Sequence, residues 1–469
     1  RLGKGAMLEL NGYYGRDLYG AEIAKFYYGN GTASATWRHR FNNRLAAKFS
    51  ANFSRFHYSA LSYITNMNAE LRSGITDVAL RADFSQDISR LWNLTYGLTS
   101  TYHHFNPADA RAENIKANIL GSNALERGIY RSNHQEINDI VTLRYGIRLS
   151  IFQSMGRSEV YSYDENYEAT GSTLYRPGQI YNTYAAPEPR IGIVVRTGPT
   201  SSVKANFAGN TQFVQLASNS ASGSPLDIWF PASPNIKPQQ AQMYSVGYFR
   251  NFADNMYEAS VEGYYKNMSN VIDFKEHANL MLTDKLEGEV RTGRGRAYGI
   301  EFMLRKNNGR VTGFVNYTLA KAERTIPGVN NGKTYLAPYD RTHSINASVN
   351  WEISPKWNIS ASWIYGTGTP LTLVLGYYPV GEVKVPIFSD RNEYRLPDYH
   401  RLDLAVNFVP NPGSKKKIRG EWNFSVYNAY NRKNPWMISF SQDKDTKEYS
   451  SDMTYLFGIV PSITYNFVF

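Results

Sequence analysis

The chain has 469 residues, 42% hydrophobic and 14% aromatic, with 36 Tyr against 23 Phe and no Cys, which excludes disulfides and thiol chemistry. No composition break marks a domain boundary, and no apolar run approaches the roughly 18 residues of a membrane helix, a test that alternating strands escape. The formal charge of +11 is spread over segments such as 415–417 and Arg38/Arg40 instead of sitting on one element with stacking aromatics. No nucleic acid is therefore expected as a partner; attraction to anionic headgroups or an anionic solute fits.

Taken in order, the chain repeats one pattern, a period of two that sets an apolar face against a polar one. Near Met7 to Gly15, Leu8, Leu10 and Tyr14 oppose Glu9, Asn11 and Tyr13. Thr32 to Phe41 and Leu45 to Phe53 predict a hairpin closed by Asn42-Asn43-Arg44. Strands are predicted next over Thr76 to Phe84 and Trp92 to Phe105, followed by a weaker one over Leu125 to Gln135. In the clearest, Val141, Leu143, Tyr145, Ile147, Leu149 and Ile151 alternate with Thr142, Arg144, Gly146, Arg148 and Ser150. Two Arg on one face are costly inside a core and cheap against a wet lumen.

The pattern continues through Arg190 to Arg196, Ser202 to Phe213, Gln242 to Arg250, Tyr257 to Lys266, Arg296 to Arg305 and Val311 to Lys321. It closes with Thr342 to Ile353, Lys356 to Tyr365, Arg401 to Phe408, Ile418 to Tyr427 and Tyr455 to Phe469. In the last, Phe457, Ile459, Ile463, Tyr465, Phe467 and Phe469 share a face. Short joins rich in Pro, Gly, Asn and Lys alternate with long ones, among them Gly156 to Ala186, Leu216 to Gln239, Asn267 to Val290 and Thr367 to Tyr394. Strict alternation of turn length is what a transmembrane barrel shows and a soluble sandwich does not need. The expected fold is all-β, a transmembrane antiparallel β-barrel of about eighteen strands.

Three clusters resemble the C-terminal barrel of TonB-dependent outer-membrane receptors. Pro234-Asn235-Ile236-Lys237-Pro238 with Tyr244-Ser245-Val246-Gly247-Tyr248 is similar to the family's asparagine-leucine-lysine-proline box. Gly295 to Glu301, Tyr317 to Ala320 and Pro338 to His343 resemble its run of two strands, a loop and the entry to a third. Trp422 to Arg432 resembles the penultimate strand and its asparagine corner. Arg395 to Leu404 and Tyr427 to Pro435 look like receptors of the Bacteroidetes type.

The resemblance implies a plug, a TonB-contacting box and a barrel of about 22 strands. Residues 1–469 are then expected to be barrel alone, contacting TonB only through an upstream segment absent from this chain. Outer-membrane lipid and a surface lipoprotein are the other implied partners. The implied activity is energised uptake of a scarce solute; a passive porin and an outer-membrane interaction scaffold are the alternatives.

No catalytic, cofactor or metal site is expected. Gly293, Gly295 and Gly299 miss the dinucleotide spacing and lead into a strand, and the eight His are scattered. Asp340 and Arg341 read as a rim pair or strand-start contact, and Asp443 and Asp445 as a solvated loop. The candidate contacts for solute or partner are loop aromatics: Tyr161, Tyr163, Tyr167, Tyr175, Tyr181 and Tyr184; Trp229 and Phe230; Tyr377 and Tyr378. Tyr offers amphipathic contact area at low entropic cost, and it equally packs loops against one another.

Overall fold

The computed structural model describes residues 5–21, 24–64, 67–112, 115–119, 121–217, 228–278, 284–381, 383–413, 419–442 and 449–468. The lysine run 415–417, Asp443, Asp445 and Phe469 lie outside the described residues. Two short 3-10 turns, 286–289 and 330–332, are the helical structure among the described residues. One sheet of 20 strands organises the chain. Setting aside its two short segments, 115–119 and 335–336, eighteen strands pair with their neighbours in sequence.

These are β1 (Ala6–Ala21), β2 (Ala24–Arg40), β3 (Leu45–Ile64), β4 (Met67–Ser89), β5 (Trp92–Ala112) and β6 (Ser122–Glu136). Then come β7 (Val141–Met155), β8 (Ile180–Gly198), β9 (Ser201–Gln212), β10 (Gln239–Phe252), β11 (Tyr257–Phe274) and β12 (Val290–Lys306). The last six are β13 (Val311–Thr325), β14 (His343–Ser354), β15 (Trp357–Gly366), β16 (Tyr399–Phe408), β17 (Arg419–Tyr427) and β18 (Val460–Val468). Every consecutive pair is antiparallel. Such a meander pairs the sixteen inner strands on both sides, while β1 bonds only β2 and β18 only β17 among the described residues; backbone pairing of this kind is the condition for crossing lipid without a helix.

Register aligns the apolar faces across strands. Tyr244 lies opposite Tyr265 and Tyr265 opposite Tyr298; Val246, Gly263 and Ile300 form the next row, and Tyr248, Val261 and Phe302 the one after. Ring pairs mark both edges of this band. Toward the short turns stand Trp37 with Phe49, Phe84 with Tyr96, Phe252 with Tyr257, Trp357 with Phe408, and Trp422 with Tyr465. Toward the other rim stand Phe207 with Tyr244, and Tyr265 with Tyr298. From Tyr244 to Phe252 is about 26 Å of strand at ~3.3 Å per residue, comparable to the apolar belt of a membrane barrel.

The opposite face is wet. Arg148 donates to Ser150 at 2.9 Å and Thr99 at 2.8 Å, and Ser150 donates to Glu188 at 2.7 Å. Arg81 meets Asp83 at 2.7 Å, and Tyr130 donates to the same carboxylate. The Arg144 and Arg148 of the predicted lumen face thus sit among polar partners, Arg144 donating to His134 at 3.1 Å.

Three expectations change. The weak candidate over Leu125 to Gln135 is a full strand, β6, paired on both sides. The last strand starts at Val460, because Phe457 turns the chain at a φ of 39°; Phe457 and Ile459 precede it. Most consequentially, β1 to β5 run to between 16 and 23 residues, whereas a tilted strand spans a bilayer in about 10. Past the bilayer both faces meet water, so alternation fades while backbone pairing still pays. Here the stretches between the predicted strands, which periodicity leaves unassigned, are themselves strand and continue as ribbons.

On the short-turn rim, side chains close the turns: Asn42 accepts from the amides of Arg44 and Leu45, and Asn138 from those of Ile140 and Val141. The long joins gather on the other rim, at 156–179, 213–238, 275–289, 326–342, 367–398 and 428–459. Substituting Val349, 47% exposed within the band, with Arg is expected to destabilise the folded barrel by about 2 to 4 kcal/mol in lipid. Asn350→Arg, one residue along on the wet face, is expected to change it by well under half of that; reversible unfolding in vesicles measures both.

Candidate functional site

The rim of long joins is built largely from secondary hairpins. Ser158–Tyr163 pairs with Ala169–Tyr175, Val214–Ala217 with Ile228–Pro231, and Val374–Val380 with Val383–Phe388. This divides the candidate aromatics. Tyr181 and Tyr184, expected in a loop, lie on β8, which starts at Ile180. Tyr175 stacks on Tyr181 at 4.7 Å. Tyr184 donates to the Ser233 carbonyl at 2.8 Å. Phe230 is 4% exposed in an apolar cluster with Ile228, Ile236, Phe274, Leu286 and Val290, so it holds loops together. Trp229 beside it is half-buried. Tyr378 is 63% exposed on the 374–388 hairpin, with half-buried Tyr377 next to it.

Loop 213–238 bends onto the wet face. Phe213 stacks on Phe152 of β7 at 5.1 Å, and Ala232 joins Phe105, Ala124 and Ala186 in the same cluster. Ser154 donates to the Ala232 carbonyl at 2.8 Å. The described part of this loop meets the wall through apolar contacts and main-chain oxygens, and forms no ring of charge.

A junction follows where three loops meet. Asn235 donates to the Tyr161 carbonyl at 3.0 Å and to the Glu287 carboxylate. Tyr161 donates to Asp284 at 2.5 Å, which holds its hydroxyl well above the ordinary range. Burial, with the Glu287 carboxylate nearby, pushes Tyr163 up to about 12. Burial also holds Glu287 above the usual carboxylate range, against hydrogen bonds from Asn235 and Ser233. Tyr167 lies under the Arg291 guanidinium, 3.6 Å from ring centre to cation.

A second node is ionic. Asp273, 2% exposed, receives Arg324 at 3.2 Å, Arg391 at 2.8 Å and the Tyr335 hydroxyl at 2.7 Å. It joins β11, β13 and the joins 326–342 and 367–398. Burial and the carboxylate raise the Tyr335 hydroxyl. Asp340, expected to pair with Arg341, instead pairs with Arg395 and accepts the Ala322 amide at 2.6 Å. Arg341 follows it in sequence, but 55 residues of chain bring Arg395 to it. The asparagine corner is as predicted: Asn428, fully buried, bonds the Arg432 carbonyl at 2.8 Å and accepts the Arg432 amide at 3.0 Å.

Among the described residues no three metal-binding side chains converge. His103 faces Asp77 at 2.8 Å and Glu126 at 3.8 Å, while His104 bonds Asn123. Asp273, Arg391 and Glu287 were not anticipated. Each is an ordinary charged loop residue in the sequence, and only the fold brings its partner from a distant join.

A strand meander with a lipid-ready outer belt, a wet inner wall and a one-sided crown of interlocked loops defines a transmembrane β-barrel of the receptor type. A family model described as "TonB dependent receptor-like, beta-barrel" matches residues 3–431, and the chain belongs to that family. It is accordingly an outer-membrane β-barrel, of a family that transports and does not catalyse. No curated protein sequence matches it.

Solved structures similar to it include the ferric-catecholate import receptor Fiu from E. coli K12 (14% identity, TM-score 0.60, 96% of this chain and 65% of that one). The ferric citrate transporter FecA (12%, 0.64, 99% and 68%) is similar as well. So is the siderophore receptor PiuA from Acinetobacter baumannii (11%, 0.64, 99% and 72%). At these identities the likeness is one of fold. The chain spans about two thirds of the length of these relatives.

Asp273→Ala leaves two buried guanidinium groups without their carboxylate and is expected to destabilise the crown by about 3 to 5 kcal/mol; proteolysis of the 326–342 and 367–398 joins reads the loss. Glu287 gives a pH dependence of defined sign. Its folded pKa lies above the ordinary 4.5, so the protonated form favours the closed junction, and stability present below that value is lost as pH rises through the folded pKa. Amide exchange across 158–175 and 233–238 is expected to quicken over that window, about tenfold in the opening equilibrium per unit of elevation. Glu287→Gln should abolish the dependence.

Proposed function

We propose that this chain is the barrel of an outer-membrane receptor that takes up a scarce solute, driven through TonB and gated by a plug contributed by an upstream segment. The observation that carries this is the family match over residues 3–431 joined to a crown of interlocked, aromatic-rich loops on one rim alone. A passive pore has no need of a crown tied by buried ions. The similar structures are named as ferric-catecholate, ferric citrate and siderophore receptors, so a ferric chelate is the first solute class to test. In this reading residues 1–469 are one barrel domain, and its exposed rim aromatics, Tyr378 above all, make first contact.

The 374–388 hairpin supports an accessory reading. It exposes Leu375, Tyr378, Val380, Val385, Ile387 and Phe388, at 41% or more each, an apolar surface of a kind that marks interaction sites. A surface lipoprotein seated there would serve capture, consistent with the same uptake.

Uptake of radiolabelled ferric chelates by cells carrying or lacking the whole receptor tests the proposal. Receptor-dependent accumulation that stops when the proton-motive force is collapsed is expected; accumulation that persists would point to a passive pore. Tyr378→Ala is expected to raise the half-saturating concentration several-fold with the barrel intact. Phe230→Ala, in the buried cluster, should instead lower the amount of folded protein, by about 3 to 5 kcal/mol of stability.

A further inference from the structure

The outer wall carries a built groove that the uptake reading does not use. It lies across β9 to β13, with a volume of about 790 Å³, and is lined on the lipid side by Tyr244, Val246, Gly263, Tyr265, Tyr298 and Ile300. Gly263 makes its floor. A Cβ added there would find its nearest atom, the Gly299 carbonyl oxygen, 4.0 Å away, so the space is open and the absent side chain leaves a slot between Val246 and Ile300. At its end stand the Tyr265 and Tyr298 rings, stacked on each other with centres 6.4 Å apart.

Directly above, still on the lipid face, the character changes. Residues two apart on one strand share a face, so Arg294 and Arg296 continue the face of Tyr298 on β12. Lys321 pairs with Tyr298, and Glu323 with Arg296, on β13. Glu323 accepts Arg296 at 2.7 Å and Lys321 at 2.6 Å. The carboxylate is 8% exposed at its side chain, the two cations 53% and 46%. It takes one donor from each, leaving four further N–H groups on Arg296 and two on Lys321, on side chains about half exposed. Three cations against one carboxylate leave a net charge of +2, at the height where the ring row marks the interface of the outer leaflet.

We propose that this wall binds one phosphorylated glycolipid of the outer leaflet. Its phosphate would be received by Arg296 and Lys321, and one acyl chain would lie in the slot over Gly263 between Val246 and Ile300, against the edge of the Tyr265–Tyr298 stack. Charge complementarity selects the headgroup, because an anion entering this site meets donors already held by Glu323 and pays little to order them. The slot selects a chain because it is apolar and as deep as one missing side chain. The inference rests on the outer wall facing lipid and is independent of what the receptor carries.

The test is native mass spectrometry of the whole receptor, extracted from vesicles of phosphatidylethanolamine containing either bisphosphorylated lipid A, enzymatically dephosphorylated lipid A, or phosphatidylglycerol. One retained lipid A per receptor is expected, with retention falling at least fivefold for the dephosphorylated form and for the Arg296→Gln/Lys321→Gln double variant. Gly263→Phe, which fills the slot and leaves the charges, should lower retention comparably. Equal retention by all variants, or phosphatidylglycerol held as tightly as lipid A, would overturn the proposal. Uptake by each variant is measured in parallel, and its loss with lipid retention intact would concern the transport reading alone.

Discussion

The whole structure depends on pairing every main-chain N–H and C=O where no water can do it. In hydrocarbon an unpaired group costs several kcal/mol, and this chain answers with a meander in which each strand bonds the next, leaving one edge each of β1 and β18 outside the ladder among the described residues. Side chains are then free to serve two media at once. Tyr265, Tyr298 and Phe302 face one way, and Arg81, Arg148 and Glu188 the other, with a single peptide unit between them. Pairing also explains why β4 continues for 23 residues: once started, the ladder holds past the bilayer.

Above the belt, the same problem is solved differently. Loops cannot all pair as ladders, so they fold into small hairpins and then lean on buried charge. Asp273 accepts from Arg324, Arg391 and Tyr335 together, and Asp340 does the same for Arg395 and the Ala322 amide. A buried ion cluster is weak as a source of net stability but demanding in geometry. That suits a crown that must keep its shape yet can be displaced.

Much of this was legible in the sequence, and for one reason. The lipid boundary forces strict alternation, so segments such as Val141 to Ile151 and His343 to Trp351 announce their faces residue by residue. Legibility fails where that boundary ends. The ribbons of β1 to β5 above the membrane lose alternation, and so does the start of β8, where Tyr181 and Tyr184 read as loop although they are strand. The crown was least legible, because Asp273 and Arg391 are 118 residues apart and nothing local in either requires the other. Asn428 is the exception: two of its side-chain bonds go to Arg432, four residues on, a distance over which sequence does report structure, although it also reaches the Phe457 carbonyl.

The way loop 213–238 is fastened has an evolutionary corollary. Ser154 and Tyr184 hold it by the carbonyl oxygens of Ala232 and Ser233, atoms that every amino acid supplies alike. A receptor on a cell surface is under pressure from antibodies, phage and toxins to vary its outermost residues. These two moorings read the main chain alone, whereas Phe213 on Phe152 and Asn235 on Tyr161 hold by their side chains, so drift in this loop is confined to positions outside those contacts.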